Sequence, residues 1–568
     1  MQVCPLFCLC IVVAQAAGTG TPQDPTGSRA VALQQKIDAA IAAGESAAIP
    51  LSGVYNFSDT SLHLEGCDGL SLLGDGEATT TLLFQGGDRF PKPEPPRKKV
   101  LVHGDGGADT MKPGFRLYPN PMAAAGGTYR NGSDATRCQG WCASNATCKG
   151  AVFVRATSQC YSLPTVLSFY PFPGMESWSK IPVQAANGPP GGGWRPKSGF
   201  VSGVNVTNCA NSAVKRLSID YEPKPRSLFC FADGDERCRE GPLGITLHFF
   251  NSSRMTAEDV TIHAAPYMAV TSFNGAGGHV LRRLKFTPNE PGQIFVSERD
   301  GVHESDVRQG ISILDSLIYG QRDDFFNIHA TLLVVLRCAP RSCLVVNPHV
   351  ESGKLDTTYS MNSLLEEARA GDRLSFVPMY NASTKPPVLE RLTSLTLGMP
   401  LPNRVTDPGV EAEVRALSAS MFAKFGHHPL VQGTFRPDVW NISLHEELVA
   451  DIPPSTLISV DSIASAGSVI RDNIFNFSTG GMRFKSSNSV IANNSVHNEH
   501  CTAKGCYGGS VEVSYLQGWF EGAAFIDNVT VENNRWHFGA GVNPLHANPM
   551  DTQRIVQRGD KFLPRDGA

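Results

Sequence analysis

The segments SVIRDN (468–473), SVIANN (489–494) and VTVENN (529–534) are three copies of one short phrase. The first two start 21 residues apart, and the third follows after 40, which is two coils or one coil with a loop. Each copy alternates apolar and polar residues, the pattern of a half-buried β-strand. A repeat of about 20–25 residues indicates a solenoid, whose strands stack about 4.8 Å apart. The phrase therefore predicts a parallel β-helix, with its asparagines hydrogen-bonded along a ladder.

Further segments extend this pattern towards the N-terminus. The phrases DVTIHA (259–264) and HVLRRLKF (279–286) recur at similar but looser spacing. Residues 30–85 begin with an amphipathic helix, predicted over Val31 to Ala43, and continue as short alternating strands split by glycine turns. This order resembles the N-terminal cap and first coils of secreted right-handed parallel β-helix proteins. A leucine-rich repeat is the rival solenoid, but leucine does not recur at the spacing it requires.

The composition excludes several classes of protein. The chain has 568 residues, 41% of them hydrophobic and 18% charged, which is an ordinary globular balance. A net charge of −4 is too small to predict binding to nucleic acid or to an anionic membrane. No segment after the N-terminus has the roughly 18 uninterrupted apolar residues that a membrane-spanning helix needs. The 55 glycines and 39 prolines favour a turn-rich β architecture.

The N-terminus predicts export. The sequence MQVCPLFCLCIVVAQAAGTG (1–20) has an apolar run followed by Ala14-Gln15-Ala16, a small-residue cleavage site. Residues 1–17 are therefore interpreted as a signal peptide. Ten Asn-x-Ser/Thr sequons agree with a glycoprotein. We expect a secreted, extracellular protein or one in a lysosome-like lumen.

Twelve of the 15 cysteines follow the predicted signal peptide. An oxidising compartment favours disulfides between them, most simply across short loops. Zinc is the alternative, but the sequence has no C-x-x-C motif and no clustered Cys/His set. The candidate disulfide cysteines are Cys138, Cys142, Cys148 and Cys160, together with three pairs that each span a short loop: Cys230/Cys238, Cys338/Cys343 and Cys501/Cys506.

Two segments interrupt the solenoid pattern. A Pro-rich, charged boundary, RFPKPEPPRK (89–98), precedes four cysteines that bracket a short predicted helix and strand. This part resembles an apple/PAN-type module, a small disulfide-held fold that often binds carbohydrate or protein. A disulfide-stapled loop without a binding role is the alternative. Residues 335–455 contain hairpin patterns such as GDRLSFV (371–377) and predict an inserted β-barrel or sandwich domain.

We therefore predict an all-β protein: a right-handed parallel β-helix with an inserted barrel or sandwich and a small disulfide-rich module. The predicted divisions are a signal peptide (1–17), an N-terminal cap with the first coils (25–100), the apple/PAN-like module (112–182), a β-helix core with an acidic site (198–334), the inserted domain (335–455), C-terminal coils (456–545) and a tail (546–568).

An acidic cluster marks the candidate site. Asp300 is followed 23 residues later by the pair Asp323-Asp324, with His303 and His329 nearby. Because one coil takes about 22–25 residues, we expect Asp300 and Asp323 at the same position on adjacent coils, about 5 Å apart. Like charges this close raise at least one pKa. A protonated carboxyl beside an ionised one is what glycoside hydrolysis requires, and inversion predicts carboxyls about 6.5–9.5 Å apart.

Simpler explanations exist for each acidic residue. Asp300-Gly301 is a common turn dipeptide. Asp323-Asp324 is compatible with a solvated corner or with a calcium site. The conjunction of a single Asp, a coil-length gap, a double Asp and two histidines favours the catalytic interpretation.

The strings DGVHESDVRQG (300–310) and GQRDDFFNIH (320–329) resemble the signature of glycoside hydrolase family 110, the α-1,3-galactosidases. The resemblance covers roughly residues 200–340 and 455–540. It implies a right-handed β-helix enzyme with an inserted barrel, which hydrolyses terminal α-galactose with inversion. It implies no organic cofactor and no metal, and its partner is a galactose-containing glycan.

The resemblance also implies roles for particular residues. It places the acidic triad on Asp300, Asp323 and Asp324. We expect one of the adjacent pair to be the general acid and the other two carboxylates to hold the water. The segment YLQGWFEGAAF (515–525) resembles a substrate-side strand of the family. The candidate sugar-binding residues are His303, Asn327, His329, Trp519 and Glu521; the two histidines alternatively tune the carboxylates.

Two other functions are compatible with parts of the sequence. A polygalacturonase-like hydrolase shares the β-helix and the single and double Asp one coil apart. Here Glu298-Arg299-Asp300 replaces its Asn-Thr-Asp, and no Gly-His-Gly or Arg-Ile-Lys follows the pair. A non-catalytic glycan-binding or adhesion protein is the second alternative, with the apple/PAN-like module as its binding part. Such a scaffold gains nothing from stacking carboxylates that repel each other.

Overall fold

The repeated phrases fold into stacked strands. In the computed structural model, Val469–Arg471 pairs in parallel with Ser489–Ala492, which pairs in parallel with Val529–Glu532. The 40-residue interval is therefore one coil with a longer loop, and the predicted parallel β-helix is confirmed. The structure describes residues 27–57, 60–84, 116–118, 128–131, 150–154, 159–163, 175–179, 203–222, 224–229, 244–351, 368–379, 393–404, 407–425, 437–448, 451–498, 511–513, 520–522, 526–538, 545–547 and 555–563.

The coils contribute strands to three parallel sheets, the first two of which merge through two long strands. The first sheet contains Ala48–Leu51, Ser71–Gly74, Ala213–Tyr221, Thr256–Ile262, Val280–Arg282, Ser312–Leu314, Val469–Arg471, Ser489–Ala492, Val529–Glu532 and Ile555–Arg558. The second sheet shares the ends of Ala213–Tyr221 and Thr256–Ile262 and adds Gly53–Phe57, Thr80–Phe84, Lys285–Phe286, Leu317–Gln321, Ile474–Ser478, Ser495–Asn498, Arg535–Phe538 and Lys561–Leu563. The third sheet contains Leu62–Glu65, Val204–Thr207, Leu247–Phe250, Val270–Phe273, Val302–Ser305, Phe326–Thr331, Met482–Phe484, Val511–Val513 and Leu545–Ala547.

The fifth residue of each phrase turns the corner between the first and second sheets. Asp472, Asn493 and Asn533 have φ angles of 61°, 56° and 56°. Asp and Asn adopt this left-handed conformation more readily than most residues because their short polar side chains can hydrogen-bond locally. The polar end of the phrase therefore sets the bend of these three coils.

The sixth residue of each phrase forms an internal ladder. Asn473, Asn494 and Asn534 are buried. Asn494 Oδ1 accepts from the Asn473 backbone N–H at 3.0 Å, and Asn534 Oδ1 accepts from the Asn494 backbone N–H at 2.9 Å. The predicted asparagine ladder is confirmed, and it satisfies backbone groups that would otherwise be buried without partners.

The interior of the solenoid is a continuous apolar core, because alternate residues of every strand point inward. The helix Ser28–Ala42 begins the described chain, and its buried Leu33 and Ile37 join the same core. The helix agrees with the predicted N-terminal one to within a few residues and covers the first coils.

Two insertions leave the stacking of coils unbroken. Across the first insertion, Ser71–Gly74 pairs in parallel with Ala213–Tyr221. Across the second, Ser312–Leu314 pairs in parallel with Val469–Arg471. Coils that are distant in sequence are therefore neighbours in space, and each insertion is carried as a side branch.

The second insertion forms a closed antiparallel barrel, whose span includes most of the predicted 335–455 segment. Its core is separate from that of the solenoid. The barrel strands are Leu333–Ala339, Ser342–Glu351, Arg373–Val377, Thr393–Arg404, Pro437–Leu444 and Leu457–Val460, with the helix Pro408–Phe425 between the fourth and fifth. Short 3₁₀ helices occur at Arg226–Phe229 and Asp461–Ile463.

The first insertion contains a five-stranded antiparallel sheet within the predicted 112–182 module. Its strands are Arg116–Tyr118, Thr128–Asn131, Gly150–Val154, Gln159–Leu163 and Met175–Ser179. Its likeness to an apple/PAN module stays a prediction, and the side chains of its four cysteines lie outside the described residues, as does the predicted signal peptide.

Two disulfides are described. Cys338–Cys343 joins a hairpin of the barrel and confirms one predicted pair. Cys67–Cys209 was not predicted; it spans 142 residues and joins neighbouring coils on either side of the first insertion. The predicted cysteines Cys230, Cys238, Cys501 and Cys506 lie outside the described residues. Among the described helices, none has the length and hydrophobicity to cross a membrane.

Candidate active site

The three acidic residues lie just before two neighbouring strands of the third sheet. Val302 pairs with Phe326, so the coils are 24 residues apart at this point. This register stacks Asp300 against Asp324, whose backbone N–H donates to Asp300 Oδ1 at 3.2 Å. The expected 23-residue step, which placed Asp300 level with Asp323, is therefore wrong by one residue.

The structure brings the three carboxylates together. One oxygen from each of Asp300, Asp323 and Asp324 lies within 4.8 Å of those of the other two. This distance is shorter than the 6.5–9.5 Å we expected between carboxyls, because stacking in register separates them by only one strand spacing. Oxygens this close can both hydrogen-bond to one water, since each such bond is about 2.7 Å long.

Asp324 is the most firmly held carboxylate of the cluster. It is buried, its Oδ1 accepts from Gly481 N–H at 2.8 Å, and its Oδ2 accepts from Arg483 Nε at 2.9 Å. Burial raises the pKa of Asp324 to about 6, although Arg483 opposes the shift. Gly480 packs against this carboxylate and leaves it space by having no Cβ.

Asp323 is the most exposed carboxylate of the cluster, with 38% of its side chain accessible. Its Oδ2 lies 3.5 Å from Arg299. Loss of surrounding water and the nearby charge of Asp300 raise the pKa of Asp323 to about 6, against the influence of Arg299. Asp323 thus combines access to solvent with a raised proton affinity.

Asp300 is buried and bound to a pair of histidines. Its Oδ2 lies 2.6 Å from His303 Nδ1, and His303 Nε2 lies 2.9 Å from His329 Nε2. Burial raises the pKa of Asp300, while His303 opposes the rise. Burial also lowers the pKa of His303, but Asp300 outweighs it and the pKa of His303 is raised. Every ring nitrogen of both histidines is bonded within the protein, which favours tuning of Asp300 over direct sugar binding.

A second polar group borders the cluster. Glu521, on a short strand that pairs antiparallel with Phe326–Thr331, accepts from buried Lys485 Nζ at 3.0 Å and from Asn327 Nδ2 at 3.2 Å. Burial would raise the pKa of Glu521, but Lys485, His329 and His303 together hold it well below its usual value. Glu521 is therefore a fixed anion with hydrogen-bonding capacity towards the site.

A metal ion is the alternative occupant that the acidic cluster suggests, and calcium prefers such oxygen ligands. Within the described residues this is the one group of acidic side chains spaced for a cation. However, His303 already bonds Asp300 and Arg483 already bonds Asp324. A cation would have to compete with these protein cations, so the donor set fits a metal poorly.

The carboxylates, His303, Asn327, His329 and Glu521 were predicted from the sequence, and the structure brings these residues together. Contacts of the cluster with Arg299, Arg483, Lys485 and Gly480 were not predicted. Arg483 and Lys485 lie in RFK (483–485), which reaches the site because Met482–Phe484 pairs with Phe326–Thr331. The barrel separates these two strands in the sequence, so no local pattern predicts their pairing. Trp519 lies outside the described residues.

No protein-family model and no curated protein match this sequence. Among solved structures, the endo-xylogalacturonan hydrolase from Aspergillus tubingensis is 10% identical, with a TM-score of 0.35, and the match covers 94% of this chain and 90% of that one. A mutant tailspike protein of E. coli bacteriophage HK620 in complex with pentasaccharide is also 10% identical, with a TM-score of 0.35, covering 97% of this chain but 61% of the tailspike. The A-module of a mannuronan C-5 epimerase from Azotobacter vinelandii is 10% identical, with a TM-score of 0.32, covering 94% of this chain and 95% of that module. At these TM-scores the fold assignment rests on the strand pairing above, and the function on the site itself.

Proposed function

We propose that this protein is an exported glycoside hydrolase that removes terminal α-linked galactose from a glycan with inversion. The observation that carries the proposal is the convergence of three carboxylates within 4.8 Å in three different environments. Carboxyls this close resist joint ionisation, so the cluster holds a proton beside an ionised carboxylate, as the acid and base groups of glycoside hydrolysis require. The disulfides Cys67–Cys209 and Cys338–Cys343 support export to an extracellular or lumenal compartment.

Asp323 is the general acid in this proposal. Its pKa is raised to about 6, and it is the most accessible of the three carboxyls, so it can reach the leaving oxygen of a bound glycoside. Asp324 is less suited to this role because both its oxygens are occupied by Gly481 N–H and Arg483.

Asp300 and Asp324 hold the attacking water. Their oxygens are close enough to share one water molecule. Each carboxylate also accepts strong hydrogen bonds from the protein, which makes it a weaker nucleophile towards the sugar. These bonds favour attack by water over formation of a covalent sugar–enzyme intermediate, and hence inversion. The oxygens within 4.8 Å are closer than the roughly 6.5–9.5 Å between inverting carboxyls, so the anomeric form of the product is the deciding measurement.

The charges around the cluster favour a neutral sugar over a uronic acid. Three described cations line the site, and each is near a carboxylate: Arg299 near Asp323, Arg483 near Asp324, and Lys485 near Glu521. A galacturonate carboxylate would have to share one of these cations with a protein carboxylate. Galactose presents only hydroxyls, which Asn327 and Glu521 can bind as donor and acceptor. We infer that Trp519 contributes an apolar platform for the apolar face of galactose.

The test is hydrolysis of aryl α-galactosides and α-galactosyl oligosaccharides by the purified protein, with galacturonan as the comparison substrate. Asp323→Asn and Asp324→Asn should each lower kcat/KM by at least about 100-fold. Asp315→Asn is the matched control, since Asp315 is an exposed corner residue of the solenoid that pairs with Arg282.

The anomeric form of the first product, followed by NMR, tests inversion. Release of β-galactose from an α-galactoside supports it, and release of α-galactose contradicts it. Full activity in both Asp variants contradicts the assignment of the site, and binding without hydrolysis supports the non-catalytic alternative.

A further inference from the structure

A buried chain of hydrogen bonds runs from the acidic cluster into the fold. Asp300 Oδ2 lies 2.6 Å from His303 Nδ1, His303 Nε2 lies 2.9 Å from His329 Nε2, and His329 Nδ1 lies 3.0 Å from the carbonyl oxygen of Ala330. The side chains of Asp300, His303 and His329 are at most 6% exposed. Water therefore does not complete these bonds, and each link needs its own proton.

The number of protons in the chain follows from the end that cannot donate. The carbonyl of Ala330 only accepts, so His329 Nδ1 carries a proton. The two further links require one proton each, which makes three in total. An ionised Asp300 and two neutral imidazoles hold only two protons. The linked unit therefore carries one additional proton and is uncharged as a whole.

We propose that His329 is a positioning residue that keeps His303 doubly protonated, and thereby keeps the buried Asp300 ionised and oriented. This proposal rests on the proposed function, because it assigns a role in the same site. His329 Nε2 accepts the His303 Nε2 proton, which leaves the His303 Nδ1 proton for Asp300. The low pKa of His329, about 3 because of burial, agrees with a neutral ring that can accept.

The surrounding charges define the environment of the chain. Asp300 and Glu521 favour the charged form of His303, and Lys485 opposes it. Glu521 Oε1 lies 3.9 Å from His329 Nε2. Asp324 faces Asp300 from the next coil, and buried Asp306 also interacts with His303. Of these groups, Asp300 bonds one ring nitrogen of His303 and His329 bonds the other; the remaining groups act on the hydrogen-bonded chain through their charge.

The proton of His303 sets an alkaline limit on the site. If it is lost, His303 keeps one ring proton for two acceptors, so either Asp300 Oδ2 at 2.6 Å or His329 Nε2 at 2.9 Å faces a bare ring nitrogen. In both cases Asp300 loses the charged partner that keeps it ionised and oriented, which weakens its hold on the water.

The experiment compares His329→Leu with His329→Gln. Leucine removes the acceptor, whereas a glutamine carbonyl can accept from His303 Nε2 while its amide donates to Ala330. Above the decline that Asp323 sets at about pH 6, kcat/KM should fall a second time as His303 loses its proton. This second decline should begin about one pH unit lower in the leucine variant, the effect of losing one hydrogen bond to a charged group. The glutamine variant should restore the second decline towards that of the wild type.

A second readout does not depend on hydrolysis. The pKa of His303 is raised by folding, so its stabilisation is complete below the unfolded value of about 6.5 and is lost as pH rises through the folded value. The melting temperature of the wild type and of His329→Gln should therefore fall more steeply above pH 7 than that of His329→Leu. Equal slopes in all three proteins, or a glutamine variant that behaves like leucine, would overturn the proposal.

The two proposals fail separately. A protein that hydrolyses no glycoside but shows the expected melting profile keeps the proton chain and loses the proposed function. Should His329→Leu not fold, ¹⁵N-histidine NMR of the wild type decides. We expect one imidazolium that persists above pH 7 and whose signal disappears in His303→Gln. Its absence from the wild-type spectrum overturns the proposal.

Discussion

Replacing Gly480 with alanine should disable the acidic cluster without altering any of its carboxyl groups. A Cβ at this position would overlap Asp324 Oδ1 and lie 2.7 Å from the carbonyl carbon and 2.8 Å from the carbonyl oxygen of Asp323. Real Cβ atoms do not approach heavy atoms within 3.0 Å. The backbone of Gly480 is fixed because its N–H donates to the carbonyl oxygen of Asp323 at 3.0 Å, so the carboxylate of Asp324 must move.

The size of the effect follows from the bonds that this movement breaks. Asp324 would leave Gly481 N–H and Arg483 Nε, now 2.8 and 2.9 Å away. A displacement of about 1 Å in a catalytic group costs about 100-fold in rate, and overpacking costs about 1–3 kcal/mol of folding free energy. We expect kcat/KM on an α-galactoside to fall about 100-fold, with a modest fall in melting temperature.

Gly409→Ala is the control for Gly480→Ala. Gly409 lies in the barrel helix, and the closest atom to its added Cβ is Asp407 Oδ1 at 3.2 Å. This variant should keep wild-type kinetics. A folded Gly480→Ala protein with wild-type kcat/KM would refute the reasoning, because it would show that the reaction does not depend on where Asp324 sits.

Three further predictions concern pH and stability. Because the pKa of Asp323 is raised to about 6, the folded protein gains stability as pH falls from about 6 towards 4. For the same reason kcat should decline above about pH 6, where the general acid loses its proton. At pH 7 the melting temperature of Asp323→Asn should match or exceed that of the wild type, although its activity is lost. Asn494→Ala should lower the free energy of unfolding by about 2–4 kcal/mol, measured by urea denaturation, since it leaves the Asn473 N–H and the Ile470 carbonyl unpaired in the core. Removing the disulfide by changing Cys67 and Cys209 to alanine should cost about 2–5 kcal/mol, and reducing agent should then lower the melting temperature of this variant less than that of the wild type.

The coils of the solenoid were predictable because the repeated phrase combines three local signals: alternation, a corner residue and a ladder residue. The register was less predictable. Asp323 and Asp324 are adjacent, and a spacing of 23 or 24 residues fits an average coil equally well. Only the pairing of Val302 with Phe326 decides that Asp324 stacks on Asp300. A one-residue ambiguity in sequence thus exchanges the roles of two neighbouring carboxyls.

Contacts across the insertions were the least predictable part of the molecule. Cys67 and Cys209 were not paired in advance because they are 142 residues apart, and short loops offered simpler partners. Arg483 stands 159 residues after Asp324, on a strand that reaches the site only because the barrel leaves coil stacking intact. Local patterns carry no signal for such contacts, since they depend on where the chain returns to the solenoid.

The barrel between Asp324 and Arg483 also imposes an order of events on the nascent chain. At about 5–20 residues per second, the ribosome needs roughly 10–30 s to advance the 159 residues that separate them. During that interval the acidic coil is complete but Asp324 lacks Arg483, and the strand Phe326–Thr331 lacks its partner Met482–Phe484. Protonation of the crowded carboxyls limits their repulsion until the next coil arrives, so an acidic lumen would ease this step of biogenesis.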